Sequence, residues 1–237
     1  IMKLKNKIFI DSKLKKNYEK YYDNKKISKL YPTEFLIRIF KGNYPNFSIL
    51  KKQKYKKKLI LDLSFGDGRN LSFLKDLGFN VFGSEISQKI IDNFKKKNYI
   101  KNIKLKVGDN TSLPFKNSNF NYVLAWNSFY YLQKNTSIFD NLLEISRIIK
   151  KNGFFIGTIP ILSTYYFKKN SKINAYKYQI KNDYLNIRNN SYLCGIKDKK
   201  DLKKILKVNF KNINIAHSFN NYFGIEENLL VFCCQKK

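Results

Sequence analysis

Short apolar runs alternate with longer runs of helical spacing between residues 59 and 160. The short runs are rich in Leu, Ile, Val and Phe and are bounded by turn residues or charges, which is typical of buried strands. We predict strands at 59–63, 80–84, 103–107, 120–125 and 153–159, and helices near 69–77, 87–98 and 137–150. Strands that alternate with helices in this way form a parallel sheet with right-handed crossovers, so the pattern predicts an α/β fold.

The segment before this region has a different pattern. A helix that Asp11 or Ser12 caps would run through Tyr22, and a second helix follows it. The basic run at 51–58 is typical of a solvated linker. We therefore predict an N-terminal helical cap and basic linker over 1–58.

Residues 161–196 have no clean periodicity and hold many tyrosines among lysines and asparagines. We interpret them as an insertion, within a domain of residues 59–237, that covers the carboxyl edge of the sheet and the substrate. Two further strand patterns, 212–219 and 228–234, are joined by a hairpin-like turn at 220–224. A hairpin pairs its strands antiparallel, so the end of the sheet should be antiparallel.

The formal net charge of the 237-residue chain is +30, which suggests an anionic partner. Lysine greatly outnumbers arginine, however, and asparagine and isoleucine are abundant throughout, a pattern that biased base composition of the coding DNA also produces. Three interpretations of the charge therefore stay open. The charge has no functional meaning, it helps to bind a phosphate-bearing small substrate, or it helps to bind RNA. We favour RNA less than the small substrate.

Membrane and secretory signals are not seen in the pattern. No apolar run approaches the roughly 18 residues that span a bilayer, and the first residues show no signal-peptide core. The three cysteines fit neither a disulfide framework nor a metal-ligand spacing. We therefore expect a cytoplasmic protein with reduced thiols, without a membrane span or a metal, and the oligomeric state stays open.

The first predicted strand runs directly into a glycine turn. Ser64, Gly66 and Gly68 form this turn, and an amphipathic helix begins near Asn70. A strand, tight turn and helix in this order offer backbone N–H groups to a ligand. Glu85 lies at the end of the second strand, where an acidic residue accepts hydrogen bonds from a ribose diol. The turn and the carboxylate together indicate an adenosine-type ligand.

A dinucleotide fits this turn poorly. A pyrophosphate-binding turn needs a third glycine where Leu71 stands, and the carboxylate of Asp67 would repel phosphates. A ligand with a positive centre and no phosphate fits better. S-adenosylmethionine is such a ligand, because it joins adenosine to a sulfonium cation and an amino-acid tail. The polar turn after the third strand, at 108–115, and the end of the fourth strand at Asn127 reach the same edge of the sheet.

Four segments, taken together, resemble the class I S-adenosylmethionine-dependent methyltransferases. Residues 61–68 are similar to the Asp-x-Gly-x-Gly-x-Gly motif of that family, 83–87 to its acidic second motif, 108–115 to its adenine-contacting segment and 119–127 to its fourth strand. The resemblance covers residues 59–160 in the family's order and spacing. It implies a Rossmann-like, seven-stranded methyltransferase sheet, mostly parallel with an antiparallel last strand, and with helices on both faces.

The resemblance also implies roles for individual residues. Glu85 would hold the ribose, and Asp109, with Asn110 beside it, would hold the adenine amino group. The methionine tail would lie between the glycine turn and the end of the fourth strand. The full set of implied cofactor residues is Asp62, Ser64, Gly66, Gly68, Asn70, Glu85, Ile86, Asp109, Asn110 and Asn127. Members of the family often place an N-terminal helix over the cofactor, which would give Tyr31 and Arg38 a part.

The chain departs from the family pattern at two places. Ser64 replaces the first glycine, which is tolerable for a serine with a negative φ. Where many small-molecule members have a histidine pair after the fourth strand, this chain has Tyr130 and Tyr131, so a histidine base at that place is excluded. His217, Tyr130 and Tyr131 are weak catalytic candidates, and packing is the stronger interpretation of each.

The leading functional interpretation is methyl transfer to oxygen or nitrogen of a small nucleotide- or sugar-linked acceptor. The stretch at 31–35 resembles methyltransferases of bacterial surface-polysaccharide pathways, including those that act on capsular phosphoramidate. This resemblance implies a phosphate-bearing acceptor and a part in capsule biosynthesis. Two alternatives stay open. One is an RNA methyltransferase, which the net charge favours, and the other is a non-catalytic S-adenosylmethionine-binding scaffold, which Ser64 and the missing histidine favour.

Overall fold

The computed structural model describes residues 12–24, 31–50, 53–97 and 103–237. Its helices are α1 (Ser12–Asp23), α2 (Glu34–Lys41), α3 (Arg69–Asp76), α4 (Gln88–Lys97), α5 (Ile138–Ile148) and α6 (Lys199–Leu206), with a 3-10 turn at Tyr165–Phe167. Its strands are β1 (Leu59–Leu63), β2 (Asn80–Glu85), β3 (Lys104–Val107), β4 (Phe120–Ala125), β5 (Tyr131–Leu132), β6 (Ile149–Pro160), β7 (Ser171–Lys172), β8 (Lys177–Gln179), β9 (Tyr192–Cys194), β10 (Phe210–Tyr222) and β11 (Ile225–Lys236). The predicted cap Asp11 lies outside the described residues. Within these ranges, no helix has both the length and the apolar character needed to cross a membrane.

Seven strands form the main sheet, in the order β10-β11-β6-β4-β1-β2-β3. β1 pairs in parallel with β2 on one side and with β4 on the other, while β11 runs antiparallel to both β6 and β10. The predicted mostly parallel sheet with an antiparallel last strand is therefore confirmed. The strand order reverses at β1, and such a reversal opens a crevice at the carboxyl ends of the strands.

Alternate residues of the central strands enter two separate cores. Ile60 and Tyr122 lie in one core with side chains of α2, α3 and α4, whereas Leu61 and Val123 lie in the other with side chains of α5 and α6. Successive side chains of a strand face opposite sides of the sheet. Strands that are apolar at nearly every position are therefore covered by helices on both faces, and this packing fixes where their carboxyl ends lie.

Two central strands have the predicted bounds, whereas the two C-terminal strands are longer than predicted. β1 and β4 have the predicted bounds. β10 and β11 extend further, to Tyr222 and from Ile225. Antiparallel backbone pairing continues through this stretch, although many of its side chains are exposed. Exposed side chains leave no hydrophobic alternation in the sequence, so the pattern alone ends these strands too early.

The insertion at 161–196 contributes three strands to a second sheet, in the order β5-β9-β8-β7. Its strands pair antiparallel, and β9 pairs with β5, which follows β4 in the chain. The Nζ of Lys177 on β8 donates to the carbonyl oxygens of Gln133, Lys134 and Thr136 at 2.7 to 2.8 Å. The insertion is therefore fastened to the segment after β4. Strands this short carry no periodicity that a sequence pattern can detect.

Candidate functional site

A cavity lies where the carboxyl ends of β1, β2 and β4 meet α1 and the insertion. The predicted cofactor residues that line it are Asp62, Ser64, Gly66, Asn70, Glu85, Ile86, Asp109, Asn110 and Asn127. Gly68, the remaining predicted cofactor residue, precedes the first residue of α3. In the described ranges, no group of three or more His, Cys, Asp or Glu side chains is arranged to hold a metal ion. The structure therefore gathers the residues of all four sequence segments around one space.

Glu85 binds the glycine turn directly. Its Oε1 accepts a hydrogen bond from the N–H of Gly66 at 2.7 Å, and its Oε2 accepts one from the N–H of Ile86 at 3.0 Å. Burial raises the pKa of Glu85 to about 7; the two hydrogen bonds oppose this shift, and the charge of Asp67 adds to it. The carboxyl group therefore links β2 to the turn and titrates near neutral pH.

Asp62 presents an unsatisfied acceptor at the cavity. The residue is 1% exposed, and its Oδ2 has no hydrogen-bond partner among the described residues. Burial raises the pKa of Asp62 well above its usual range, and Glu85 and Asp67 raise it further. The Oδ1 of Asn70 lacks a partner in the same sense. Buried acceptors without partners are costly, so this part of the cavity fits a ligand that brings charged N–H donors, as the ammonium of an amino-acid tail does.

Ser64 does not have the negative φ that would make a serine tolerable at this position. Its φ is +56°, in the left-handed region where residues other than glycine are strained. The residue follows the last residue of β1, where the chain turns towards Gly66. Ser64 therefore occupies a position that favours glycine, and its replacement of the family's glycine is not free of cost.

Replacement of Ser64 by glycine is expected to raise the free energy of unfolding by about 0.5 to 1 kcal/mol. Relief of the left-handed backbone should outweigh the greater freedom that glycine gives the unfolded chain. Chemical denaturation of the variant and the wild type measures the difference. Ser64→Ala is the matched control, because it removes the hydroxyl but keeps the strained backbone, and it should gain nothing. A Ser64→Gly protein no more stable than the wild type would contradict this account.

Asp109 and Asn110 have different partners. The Oδ1 of Asp109 accepts hydrogen bonds from the N–H and the hydroxyl of Thr111, at 2.8 and 2.6 Å, which leaves its Oδ2 for a ligand. The Nδ2 of Asn110 donates to the carbonyl oxygens of Ser128 and Tyr131, at 3.0 and 3.3 Å. Asn110 therefore holds the segment after β4 in place, and Asp109 is the better partner for an amino group.

Asn127 closes the cavity at the end of β4. Its Oδ1 accepts a hydrogen bond from the hydroxyl of Thr158 at 2.7 Å, and its backbone N–H donates to the same hydroxyl oxygen at 2.8 Å. Its φ is +56°, which asparagine tolerates better than most residues. With Oδ1 bonded to Thr158, the Nδ2 donors of Asn127 remain for an acceptor such as a carboxylate.

Helix α1 covers the cavity. The sequence pattern predicted an N-terminal helical cap, but it did not show where this cap packs. Its lining residues are Leu14, Tyr18, Tyr21 and Tyr22. The hydroxyl of Tyr22 packs against Gly66, where an added Cβ would overlap it. An ion pair between Asp23 and Lys89, at 2.5 Å, ties α1 to α4. In the sequence, only the helical spacing of the three tyrosines indicated that they lie on one face of the helix.

Tyr31 and Arg38, which the resemblance placed near the cofactor, do not line the cavity. The Nε of Arg38 on α2 donates to Glu34 at 2.9 Å, and Tyr31 is 69% exposed. Helix α2 packs Leu36 into the core that it shares with α3 and α4. The N-terminal helix at the cavity is therefore α1, and α2 belongs to the body of the domain.

One of the three weak catalytic candidates, Tyr131, lines the cavity. Tyr130 is 1% exposed and packs in the core, with its ring centre 5.1 Å from that of Tyr131. His217 is exposed on β10, its ring 4.8 Å from that of Phe219. Because β11, β6 and β4 lie between β10 and β1, a direct catalytic part for His217 does not fit the structure, and Tyr130 is a core residue.

The insertion adds Leu185, Ile187 and Arg188 to the cavity wall. The Nε of Arg188 donates to the hydroxyl of Tyr131 at 3.0 Å, and the hydroxyl of Tyr18 donates to the same oxygen at 2.5 Å. Three segments far apart in the sequence therefore meet at one hydroxyl. No periodicity singles out Arg188, so the sequence offered no signal for it.

The family comparison concerns the same segments. Residues 61–157 match the family model described as a methyltransferase domain. This range contains the glycine turn, Glu85, Asp109 and Asn127. No curated protein matches the chain significantly.

Many solved structures share the fold. An S-adenosylmethionine-dependent methyltransferase from Methanosarcina mazei is 16% identical, with 82% of this chain and 98% of that one covered and a TM-score of 0.62. A protein from Pyrococcus horikoshii is 20% identical, with 92% and 99% covered and a TM-score of 0.60. The 1,6-didemethyltoxoflavin-N1-methyltransferase from Burkholderia thailandensis, with S-adenosylhomocysteine and 1,6-didemethyltoxoflavin bound, is 12% identical, with 77% and 72% covered and a TM-score of 0.54. The matched domain and the shared fold agree: residues 61–157 match a methyltransferase domain, and the chain has the fold of S-adenosylmethionine-dependent methyltransferases.

Proposed function

We propose that the protein methylates an oxygen or nitrogen atom of a small nucleotide- or sugar-linked acceptor that carries phosphate. The proposal of a small acceptor rests on one observation, namely that side chains of α1 and of the insertion cover the cavity. Tyr18 and Tyr22 of α1, and Leu185 and Arg188 of the insertion, line it together with the strand ends. A concave site enclosed by side chains from several segments suits a small molecule. The small-molecule substrate of the Burkholderia enzyme gives a precedent on this fold.

The cofactor residues in this proposal follow from the open acceptors and donors of the cavity. Glu85 accepts hydrogen bonds from the ribose hydroxyls, and Asp109 accepts one from the adenine amino group. Asp62 and Asn70 accept from the ammonium of the methionine tail, and Asn127 donates to its carboxylate. The unpartnered Oδ2 of Asp62 and Oδ1 of Asn70 support this arrangement.

Methyl transfer from a sulfonium is an in-line displacement, so the protein has to align the acceptor and exclude water. When bound, S-adenosylmethionine supplies the electrophilic methyl group. Tyr18 and Tyr22 shield the space above the glycine turn from solvent. An acceptor atom that is an amine or is already anionic needs no general base. Such an acceptor is consistent with the absence of a histidine base at positions 130 and 131, where this chain has tyrosines.

We also propose a part in surface-polysaccharide biosynthesis, such as that of a capsule, in the cytoplasm. The resemblance at 31–35 supports the pathway. Cys194, Cys233 and Cys234 are free in the structure, as expected in a compartment that keeps thiols reduced. RNA methylation and non-catalytic binding of S-adenosylmethionine are the alternatives that an experiment has to separate.

Incubation with methyl-labelled S-adenosylmethionine tests the acceptor class. The protein is given separate pools of RNA and of anionic small metabolites, and the Glu85→Ala variant serves as the control for weakened cofactor binding. We expect label in nucleotide- or sugar-linked metabolites and none in RNA. Label in RNA alone would replace the proposal by the RNA alternative. Cofactor binding with no labelled acceptor in either pool would support the scaffold.

A further inference from the structure

The charges that line the cavity are unevenly distributed. Asp62 and Glu85 lie at the glycine turn, and Arg69 beside them is ion-paired with Asp67 at 2.7 Å. The insertion contributes a second arginine, Arg188, to the same cavity. The turn therefore places carboxyl groups at one end of the cavity, whereas the insertion places a guanidinium in the wall.

Arg188 is held in one orientation. Its side chain is 13% exposed. Its Nε donates to the hydroxyl of Tyr131 at 3.0 Å, and its Nη1 donates to Asp183 at 3.2 Å. The guanidinium lies 4.9 Å from the ring centre of Tyr166. Within the described part of the chain, Nη2 makes no hydrogen bond. Nη2 therefore has capacity for a ligand in the cavity.

The carboxylate of Asp183 accepts hydrogen bonds from other groups besides the guanidinium of Arg188. Its side chain is fully buried, and it also accepts hydrogen bonds from the hydroxyl of Tyr165 at 2.6 Å and from the N–H groups of Ile187 and Arg188 at 3.0 and 2.9 Å. These bonds fold the loop around the carboxylate and share its charge among several donors. Asp183 is therefore a positioning residue that sets Arg188 in the cavity wall.

We infer that Arg188 is the specificity-determining residue for an oxyanion of the methyl acceptor, either a phosphate or a carboxylate, which it binds through Nη2 beside the hydroxyls of Tyr18 and Tyr131. The inference rests on the proposed function, because the acceptor has to share the cavity with the cofactor. Nη2 of a guanidinium carries two N–H donors and a share of its permanent charge, which suits the oxygens of an oxyanion. Asp62 and Glu85 lie at the glycine turn, whereas Arg188 lies in the wall formed by the insertion, so the positions of the polar groups favour one orientation of the acceptor.

A double variant, Arg188→Met with Asp183→Asn, tests the assignment. It removes both charges together, so no buried charge is left without its partner. Protein loaded with S-adenosylhomocysteine is titrated with inorganic phosphate and, separately, with acetate at constant ionic strength. The fluorescence of Trp126, the single tryptophan of the chain, reports binding because this residue lines the cavity. We expect the wild type to bind at least one of the ions, and the double variant to bind it about tenfold to a hundredfold more weakly, the range for loss of a charge-assisted hydrogen bond.

The two ions separate the two acceptor chemistries. A response to phosphate alone assigns a phosphate-bearing acceptor, and a response to acetate alone assigns a carboxylate. Tyr184→Phe is the matched control, because Tyr184 lies in the same insertion, is 70% exposed and does not line the cavity. It should leave ion binding unchanged, whereas Arg188→Lys, which keeps the charge without the guanidinium, should bind with intermediate strength.

Three results would overturn the assignment of Arg188. They are equal ion binding by the wild type and the double variant, an equal loss in Tyr184→Phe, and no binding of either ion by a wild-type protein that does bind S-adenosylhomocysteine. If the wild type failed to bind S-adenosylhomocysteine, the proposed function would fail first. The cofactor titration therefore distinguishes the two failures.

Discussion

A Gly68→Ala variant is expected to lose about 2 to 5 kcal/mol of unfolding free energy. Gly68 has a φ of +79°, a conformation that costs an alanine about 1 to 2 kcal/mol. A Cβ at this position would also overlap the ring of Phe94, which is 6% exposed in the core. Displacing a packed ring adds about 1 to 3 kcal/mol. Urea denaturation followed by circular dichroism measures the loss.

Gly224→Ala is the matched control for Gly68→Ala. Gly224 has a φ of +94°, and no atom lies within 4 Å of the position that its Cβ would take. This variant therefore carries the backbone cost alone, about 1 to 2 kcal/mol. Equal losses in the two variants would show that Phe94 adjusts without cost and that the turn needs glycine for its backbone only.

Glu85→Ala is expected to bind S-adenosylmethionine about tenfold to a hundredfold more weakly, a loss of about 1 to 3 kcal/mol. The variant removes the carboxylate that bonds to Gly66 and Ile86 and that we assign to the ribose. Calorimetric titration measures the affinity. Glu34→Ala is the control, because this carboxylate is exposed and binds Arg38 outside the cavity. Equal affinity of Glu85→Ala and wild type would remove the ribose assignment.

The same carboxyl group should make ribose binding depend on pH. Burial raises the pKa of Glu85 to about 7 without a ligand, so the group is mostly protonated below this pH and ionised above it. Only the carboxylate accepts hydrogen bonds without donating a competing proton. Affinity for methylthioadenosine, which has the ribose but no amino-acid tail, should therefore rise as the pH increases through 7. Glu85→Gln should abolish this rise because an amide does not titrate, and a flat wild-type profile would contradict the assignment.

The cofactor end of the cavity could be predicted because its signals are local. Buried strands such as β1 and β4 are apolar at most positions, and a glycine turn followed by a helix is visible in a dozen residues. Glu85 and Asp109 follow from the same logic, since parallel strands bring their carboxyl ends to one edge. The resemblance then supplied the identity of the ligand. Backbone conformation was less accessible, and the positive φ of Ser64 shows that a serine can stand where the turn favours glycine.

The sequence predicted that the insertion covers the carboxyl edge of the sheet, but not which residues form the cavity wall opposite the strands. Tyr18 and Tyr131 are 113 residues apart in the sequence and share a hydrogen bond, and Arg188 comes from a segment without periodicity. Hydrophobic periods report which face of an element is buried, and they do not report which elements meet. The resemblance also gave Tyr31 and Arg38 a part at the cofactor, and His217 stayed a weak candidate, because neither the packing of α2 nor the position of β10 at the sheet edge can be read locally.

The sequence by itself determined the alternation of strands and helices, the glycine turn and the acidic residues at the strand ends, because each depends on neighbours along the chain. Only the tertiary structure decided which residues of α1 and of the insertion line the cavity, and that Arg188 shares this cavity with Asp62. These arrangements depend on hydrogen bonds and packing between segments far apart in the chain, which no local pattern encodes.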